Sequence, residues 1–298
     1  MDKTAFINFI TNNIVILDGA TGSFLMAAGM PARACTEDWV SEHPDVIVDL
    51  QKQYVAAGSN IIYAPTFGAN RLRLEGHGLE DKIEYLNQTA VALSKKAACG
   101  KALVAGNLSM ASASLVIYED DYFNLVKETY KEQIRILEDA GCDLFAIETM
   151  QNAEEARAAV EAAVEVSSLP VMVSMSFEDN GRTLYGDTPE DAAHILTEAG
   201  ADVVGANCSA GPDRMLPIIQ AIRQSTNLHI LAKPNAGTPE PGPNGTVVYN
   251  LTEDGYAVSM MQLIENGANI VGGCCGTAPS YIEKLCYLTQ NMSFSSIN

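Results

Sequence analysis

Eight short apolar segments rich in Val, Ile and Leu recur along the chain, and segments with helical periodicity separate them. The apolar segments are residues 14–17, 60–64, 102–105, 144–147, 171–177, 203–204, 229–232 and 268–271. Apolar strands that alternate with helices are typical of a parallel sheet, because the crossover helices cover both of its faces. Eight such units predict an α/β fold of the (β/α)8 TIM-barrel class.

The segments between the strands have apolar residues at the spacing of amphipathic helices. They are residues 46–57, 81–98, 122–140, 153–166, 189–199, 212–224, 254–266 and 279–288. We see no linker that divides the chain. Residues 1–298 are therefore expected to form one domain, with its core at about 10–288 and a polar, peripheral tail at 289–298.

Two longer connections interrupt this pattern. Residues 109–121 predict a long loop after the third strand. Residues 240–250 contain Pro-Gly-Pro and Asn-Gly, and they predict a hairpin after the seventh strand. Both connections would lie at the C-terminal ends of the strands, the face on which TIM barrels build their active sites.

Composition excludes several classes of function. The chain has 298 residues, 47% of them hydrophobic, and a formal net charge of −19, which argues against nucleic-acid or anionic-membrane partners. Its seven cysteines lack the spacing of a disulfide framework. No signal peptide is evident, and no apolar segment is long enough to span a membrane. A reduced, cytoplasmic enzyme is the simplest interpretation.

Three cysteines follow predicted strands. Cys274 and Cys275 stand in Gly-Gly-Cys-Cys-Gly-Thr at 272–277, and Cys208 ends Gly-Ala-Asn-Cys at 205–208. Neighbouring side chains of a regular strand point to opposite faces, but glycines at a strand's end free the backbone, so that both thiols can reach one atom. Three thiolates with one open position describe a catalytic zinc site. The alternative is that they are small, buried, metal-free apolar residues.

Other polar residues also stand where the predicted strands end, and a barrel would bring them to one mouth: Asp18, Thr66, Asn107, Glu148, Asn207 and Asn235. An unpaired carboxylate is costly to bury, so Glu148 is favoured as a ligand-binding residue. Asp18 precedes Gly19 and is equally compatible with an ordinary turn. The histidines fall in positions away from the predicted mouth, which argues against a histidine base: His43, His77, His194 and His229.

The cysteines indicate a particular chemistry. Three thiolates and Zn²⁺ carry a net charge of about −1, from −3 and +2, and such a site binds a substrate thiol as its thiolate. A thiolate shell keeps the bound sulfur nucleophilic, whereas a histidine shell activates water. The predicted reaction is the alkylation of a thiol.

The two cysteine motifs, together with Asp-Gly-Ala-Thr-Gly at 18–22, resemble the zinc-dependent homocysteine S-methyltransferases over roughly residues 10–288. This resemblance implies a (β/α)8 barrel that binds homocysteine as a zinc thiolate and methylates it to methionine. It implies Asn235 as a transient zinc ligand when homocysteine is absent. It also implies three catalytic zinc ligands, Cys208, Cys274 and Cys275.

The resemblance further implies which residues contact the amino-acid part of homocysteine. Glu148 matches the carboxylate that receives the substrate ammonium group, with Asp18 close by. Backbone N–H groups around Ala20 and Thr21 match those that hold the substrate carboxylate. Asn207, within its cysteine motif, completes the expected substrate contacts.

Three further stretches, 66–71, 177–183 and 233–239, look most like the homocysteine-binding module of cobalamin-dependent methionine synthase. The sequence contains no Asp-x-His-x-x-Gly cobalamin signature and no folate-binding barrel. The resemblance therefore implies that methylcobalamin is supplied by a separate corrinoid-binding protein, as in a split methionine synthase.

Two alternatives stay open at this point. The chain is a stand-alone methyltransferase if its donor is S-methylmethionine, S-adenosylmethionine or a betaine, although residues 67–70 favour the cobalamin branch. It is a non-catalytic zinc- or thiol-binding subunit if it binds metal without substrate. The second alternative is disfavoured because Asp18 and Glu148 complete a substrate site that metal storage does not need.

Overall fold

Eight parallel strands form one sheet that closes on itself. The computed structural model describes residues 2–111, 120–242 and 247–290. The first barrel strand along the chain pairs with the eighth, and a parallel bridge between Leu17 and Ile61 joins it to the second, so that every strand has a neighbour on both sides. The predicted (β/α)8 barrel is confirmed. Its strands are β1 (Val15–Ile16), β2 (Ile61–Tyr63), β3 (Leu103–Leu108), β4 (Leu144–Met150), β5 (Val171–Met175), β6 (Val203–Cys208), β7 (His229–Pro234) and β10 (Ala268–Val271).

The eight predicted helices are all present, and each of their ends lies within two residues of its predicted position. They are α4 (Pro44–Ala56), α6 (Ile83–Ala98), α7 (Asp120–Asp139), α8 (Ala153–Val166), α9 (Pro189–Glu198), α10 (Pro212–Ser225), α11 (Glu253–Glu265) and α12 (Pro279–Gln290). Sequence patterns did not predict four shorter helices, because each has too few turns for a clear period. These are α1 (Lys3–Thr11), α2 (Gly22–Ala27), α3 (Thr36–Glu42) and α5 (Arg71–Glu75).

Two apolar cores result from the alternation of side chains along the strands. One fills the barrel and includes Leu17, Ala146 and Leu231. The other lies between the sheet and the surrounding helices. Helix α1 belongs to the inner core through its buried residues Phe6 and Ile10, so it contributes apolar packing to the barrel interior.

The predicted hairpin after β7 is confirmed. Strands β8 (Pro239–Pro241) and β9 (Val247–Tyr249) pair antiparallel, and residues 243–246 at its tip lie outside the described residues. Most of the predicted loop at 109–121 also lies outside them, and α7 already begins at Asp120. The first two residues of the predicted tail belong to α12, whereas 291–298 are not described. None of the described helices is long and apolar enough to cross a membrane.

Candidate metal and substrate site

The three predicted cysteine ligands lie together at the C-terminal ends of the strands. Cys208 is the last residue of β6, and Cys274 and Cys275 follow β10. Their Sγ atoms all lie within 4.8 Å of one another. The N–H of Cys274 donates to the carbonyl oxygen of Pro234 at 2.8 Å. This bond fixes residues 272–277, here called the cysteine loop, to the end of β7.

Unusual backbone conformations occur at this end of the barrel. Thr149, Cys208 and Ser209 have φ values of 59°, 63° and 57°, in the left-handed region that non-glycine residues rarely adopt. The register between β4 and β5 also shifts between Ile147 and Met150, around the predicted carboxylate Glu148. Such local strain and irregularities are frequent beside functional sites, where they re-aim side chains.

The three thiols share their protons unequally. Hydrogen bonds from Cys208 and Cys274, assisted by one from Tyr249, lower the pKa of Cys275 to about 3. Its hydrogen bonds to Cys274 and Cys275 raise the pKa of Cys208 far above its ordinary value. A hydrogen bond from Cys208 lowers the pKa of Cys274, but its hydrogen bond to Cys275 and its burial outweigh this and raise it to about 11. Thiolate character is therefore concentrated on Cys275.

This donor set fits a zinc ion. Zinc–thiolate bonds are about 2.3 Å long, so one ion can be shared by sulfurs at these separations. Asn235, the predicted transient ligand, is buried, and its Oδ1 has no hydrogen-bond partner. An unpaired buried oxygen is costly, and a cation beside it would satisfy it. Its neighbour Pro234 contacts the cysteine loop directly.

A buried lysine stands between the two predicted substrate carboxylates. Lys233 Nζ lies 3.3 Å from Asp18 Oδ1 and 3.7 Å from Glu148 Oε2. It also lies 4.5 Å from the centroid of the Tyr63 ring. The three charged side chains are all buried, so they form an ionic trio in the wall of the barrel mouth.

Burial and Lys233 act in opposite directions on the two carboxylates. Burial raises the pKa of Asp18 to about 6, although Lys233 and the N–H of Tyr63 lower it. Burial also raises the pKa of Glu148, again against the effect of Lys233. Burial lowers the pKa of Lys233, but the charges of Glu148 and Asp18 outweigh it and hold this pKa well above 10.5. Lys233 is therefore charged at neutral pH, and Asp18 is ionised.

Two asparagines fix the carboxylate of Glu148. Asn107 Nδ2 donates to Glu148 Oε1 at 2.8 Å. Asn207 Oδ1 accepts hydrogen bonds from the Thr149 N–H and the Ser174 hydroxyl, both at 2.8 Å. Asn207 Nδ2 donates to Thr149 Oγ1 at 2.7 Å and lies 3.5 Å from Glu148 Oε2. Asn207 thus ties β6 to the segment of β4 that carries Glu148.

The predicted carboxylate-binding segment is held by the cysteine loop. The Ala20 N–H donates to Thr277 Oγ1 at 3.1 Å, and the Tyr54 hydroxyl donates to the Ala20 carbonyl oxygen at 2.9 Å. Thr277 Oγ1 in turn donates to the carbonyl oxygen of Cys274 at 2.7 Å. The Ala20 N–H is therefore already engaged within the protein. Its contact with a substrate carboxylate, and that of Thr21, stay predictions.

One cavity of about 360 Å³ joins these groups. Its lining residues from the predicted set are Ala20, Thr21, Asn107, Glu148, Cys208, Cys274 and Cys275. Four other predicted residues are buried and do not line it: Asp18, Thr66, Asn207 and Asn235. The prediction that all histidines lie away from the mouth is wrong for His77, which lines this cavity. Residues after β2 fold back beside the mouth through α5, and the sequence pattern did not indicate that path.

Two residues of the site were missed from the sequence. Lys233 falls within the stretch 233–239 that resembles methionine synthase, but a lysine at a strand end is ordinarily read as a solvated side chain. Tyr249 lies on the inserted hairpin, and nothing in its sequence context marks its contact with Cys275. The sequence did contain one usable signal. Lys233 stands at a predicted strand end, as Asp18 and Glu148 do, and buried charges need partners of opposite sign.

Comparison with known families agrees with this arrangement. The family model described as homocysteine S-methyltransferase matches residues 15–288. The chain belongs to the homocysteine S-methyltransferase family. The match covers all eight barrel strands and both cysteine motifs, and it confirms the resemblance found in the sequence.

Curated relatives of this family member include two methionine synthases. The Mycobacterium tuberculosis protein is 26% identical over 307 residues, covering 97% of this chain and 26% of the relative. The Mycobacterium leprae protein is 27% identical over 300 residues, covering 95% of this chain and 25% of the relative. The chain thus spans about a quarter of the length of the curated relatives it matches.

Solved structures of similar fold include the homocysteine methyltransferase MmuM from Escherichia coli. Its metallated form superposes with a TM-score of 0.77 at 24% identity, over 93% of this chain and 96% of that one. A pyruvate carboxylase from Rhizobium etli gives a TM-score of 0.57 at 17% identity, over 96% of this chain and 28% of that one. At these identities the likeness supports the barrel fold alone.

Proposed function

We propose that this chain transfers a methyl group to the sulfur of homocysteine, which gives methionine. The observation that carries this proposal is that three convergent thiols and a buried carboxylate, Glu148, line one cavity. Homocysteine has the two complementary groups, a sulfur that suits a thiolate-bound metal and an ammonium group that suits a carboxylate. Membership of the homocysteine S-methyltransferase family supports the same reaction.

Cys208, Cys274 and Cys275 are the residues proposed to hold a zinc ion, with Asn235 as the ligand that substrate replaces. Bound zinc lowers the pKa of a substrate thiol, so that its sulfur is nucleophilic at neutral pH. The chain keeps the three sulfurs together through the hydrogen bond between Cys274 and Pro234. Free thiols are needed for this role, and none of the seven cysteines is in a disulfide, which suits the reducing cytoplasm.

Glu148 is proposed to receive the substrate ammonium group. Asn107 fixes its Oε1, so the carboxylate is presented in one orientation and binds with little loss of side-chain entropy. Backbone N–H groups around Ala20 and Thr21 are proposed to bind the substrate carboxylate, since both residues line the cavity. The substrate sulfur then lies at the cysteine end of the cavity, because its amino-acid end is held at the other.

The reaction itself is a single displacement. The substrate thiol loses its proton to solvent on binding, and its sulfur uses one electron pair to form the new carbon–sulfur bond. The bond between the methyl carbon and its carrier breaks at the same time, and the carrier leaves with that bonding pair. After deprotonation the chain need only orient the nucleophile and keep water from competing.

The methyl donor is proposed to be methylcobalamin carried by a separate corrinoid-binding protein. This proposal is supported by the stretches 66–71, 177–183 and 233–239, which resemble the homocysteine-binding module of methionine synthase. The two curated relatives named methionine synthase support it as well.

One experiment tests the acceptor and the donor together. Zinc-loaded chain and homocysteine are incubated with methylcobalamin, S-methylmethionine, S-adenosylmethionine or betaine, and methionine is quantified. Methionine from methylcobalamin alone is the expected result. Turnover of a small donor instead would replace the proposed carrier, and stoichiometric zinc without homocysteine binding would favour a non-catalytic subunit.

Substitution of the cysteines tests the site itself. Cys208→Ala and Cys275→Ala should each abolish zinc binding and methionine formation, because both remove a metal ligand. Cys99→Ala is the matched control, since this exposed thiol follows α6 away from the cavity. Full turnover by either ligand variant would rule out the site.

A further inference from the structure

Lys233 is the one cation that lies against both predicted substrate carboxylates, in the part of the chain that the structure describes. It is 4% exposed, and its Nζ contacts Asp18 on one side and Glu148 on the other. A lysine is rarely this deeply buried unless its charge is paired. The arrangement therefore reflects a requirement of the site and not a solvated surface pair.

The two carboxylates differ in their access to the cavity. Glu148 and Lys233 line it, whereas Asp18 is 1% exposed and does not. Asp18 Oδ2 accepts the Tyr63 N–H at 2.8 Å, and its Oδ1 lies 3.3 Å from Lys233. Both oxygens of Asp18 thus face the protein, and Lys233 lies beside Asp18 at the cavity wall.

The formal charges of the trio add to −1, from +1 on Lys233 and −1 on each of Asp18 and Glu148. The other titratable groups that interact with the trio are the phenols of Tyr54, Tyr63 and Tyr256 and the thiols of Cys274 and Cys275. Burial holds the pKa of each phenol above its ordinary value, so these groups stay neutral. Among the trio and these phenols, one net negative charge therefore remains beside the cavity for a bound cation.

We propose that Lys233 is the positioning residue of this site, and that Asp18 acts on the substrate only through it. Asp18 holds Lys233, and Lys233 holds Glu148 ionised and correctly placed, so that Glu148 alone contacts the substrate ammonium. The inference rests on the proposed function, because it concerns how that substrate is recognised. It reassigns Asp18 from a direct contact to a partner of Lys233.

A double-mutant cycle tests this assignment, with methionine as the probe because it carries the ammonium group but no titrating thiol. Lys233→Met leaves two carboxylates without the cation that holds them, and it should weaken methionine binding at pH 7 about tenfold or more, the scale of one charged hydrogen bond lost when Glu148 is misplaced. Adding Asp18→Asn to Lys233→Met removes the surplus carboxylate and should restore part of the lost affinity. Lys233→Arg keeps the charge and should bind better than Lys233→Met.

The pH dependence separates positioning from a general structural role. In Lys233→Met the decline of methionine affinity toward acid should move to higher pH, by about one unit or more. A loss of affinity that is equal at every pH and equal in Lys233→Arg would overturn the proposal. So would a double variant weaker than Lys233→Met, because direct contact by Asp18 predicts additive losses.

Lys127→Met is the matched control. Lys127 also contacts two carboxylates, those of Glu161 and Glu165, but it lies on α7 and does not line the cavity. It should leave methionine affinity unchanged. If the unsubstituted zinc-loaded chain binds neither methionine nor homocysteine, the proposed function fails, and that result is distinct from a failed cycle in a chain that binds both.

Discussion

The ring of Tyr249 lies directly over the backbone of Gly276, so closely that a Cβ on Gly276 would be 2.2 Å from Tyr249 Cδ2. Tyr249 belongs to the hairpin strand β9, and Gly276 follows the ligand pair Cys274 and Cys275. The Tyr249 hydroxyl also hydrogen-bonds Cys275. The hairpin inserted after β7 thus packs on the cysteine loop, as an outer support of the proposed metal ligands.

Gly276→Ala should therefore loosen the proposed metal site. The added methyl group overlaps the Tyr249 ring, and the φ of 81° at this position disfavours any side chain. We expect a loss of about 1–3 kcal/mol in unfolding free energy and a weaker zinc affinity in a competition titration. Gly141→Ala is the matched control, because Gly141 has a φ of 90° and open space around it. Equal zinc affinity in both variants would contradict the role given to the hairpin.

Because of Asp18, the free energy of unfolding and the affinity for substrate should change in opposite directions as the pH falls. Its pKa is raised from 3.8 to about 6 in the folded chain, so the folded state binds this proton more tightly than the unfolded state. This group therefore stabilises the fold as the pH falls from about 6 to 3.8, and that contribution disappears above about 6. Asp18→Asn cannot titrate, so its stability relative to the unsubstituted chain should fall across this window in denaturant titrations.

Substrate binding should weaken in the same window. Protonation of Asp18 leaves Lys233 with Glu148 as its only ionised partner, and the trio loses its net negative charge. Methionine affinity measured by calorimetry should decline as the pH falls through about 6. Affinity that stays constant from pH 7 to pH 5 would mean that Asp18 has no part in recognition.

Glu148→Gln should weaken substrate binding directly, beyond any effect that comes from a less stable fold. The amide keeps the size and one acceptor oxygen of Glu148 but removes the charge that is proposed to bind the substrate ammonium. A charged hydrogen bond is worth about 1.5–3 kcal/mol, so the KM for homocysteine should rise by about 10-fold to 100-fold. Glu155→Gln is the comparison variant, since Glu155 is also buried but contacts Tyr130 and the Ala111 N–H instead of the cavity. Equal effects on KM would show that charge at Glu148 is not specifically required.

Gly205→Ala should destabilise the barrel itself. A Cβ at this position of β6 would lie 2.0 Å from the backbone oxygen of Leu231 on the neighbouring strand β7. Neither strand can shift without disturbing its pairing, so we expect a loss of at least about 3 kcal/mol in unfolding free energy, at the upper end for overpacking. Wild-type stability of the variant in urea would show that the two strands are less tightly coupled.

Much of this molecule could be predicted from the sequence, for identifiable physical reasons. Strands buried on both faces are continuously apolar, and long amphipathic helices repeat their period often enough to be located within two residues. The cysteine triad was predictable because strand C-termini converge in a barrel. In each case a local pattern was sufficient.

Other residues of the site could not be predicted, because their positions depend on tertiary contacts that produce no pattern in the neighbouring sequence. Lys233 is a polar residue near the end of β7, like polar residues near the ends of other strands. Its burial results from the acidic residues that lie after β1 and on β4. Tyr249 contacts the cysteine loop only because the hairpin folds back over it. His77 lines the cavity through the path of the chain after β2. Tertiary packing determined these three positions.

Asn207 offers the clearest separation of substrate positioning from stability. Asn207→Ala removes the acceptor of the Thr149 N–H and the Ser174 hydroxyl, and it leaves the segment carrying Glu148 without its link to β6. We expect a loss of about 1–3 kcal/mol in stability, the cost of unpaired buried groups, together with a rise in the KM for homocysteine.

Asn269→Ala is the matched control for Asn207→Ala. Asn269 likewise makes three hydrogen bonds, with the Ile10 carbonyl oxygen, the Ile230 N–H and the ring Nδ1 of His229, but these lie at the opposite end of the barrel. It should lose similar stability, because comparable hydrogen bonds are broken, and it should keep the unsubstituted KM. If both variants raise KM equally, the effect of Asn207 comes from weakening of the whole barrel and not from the placement of Glu148.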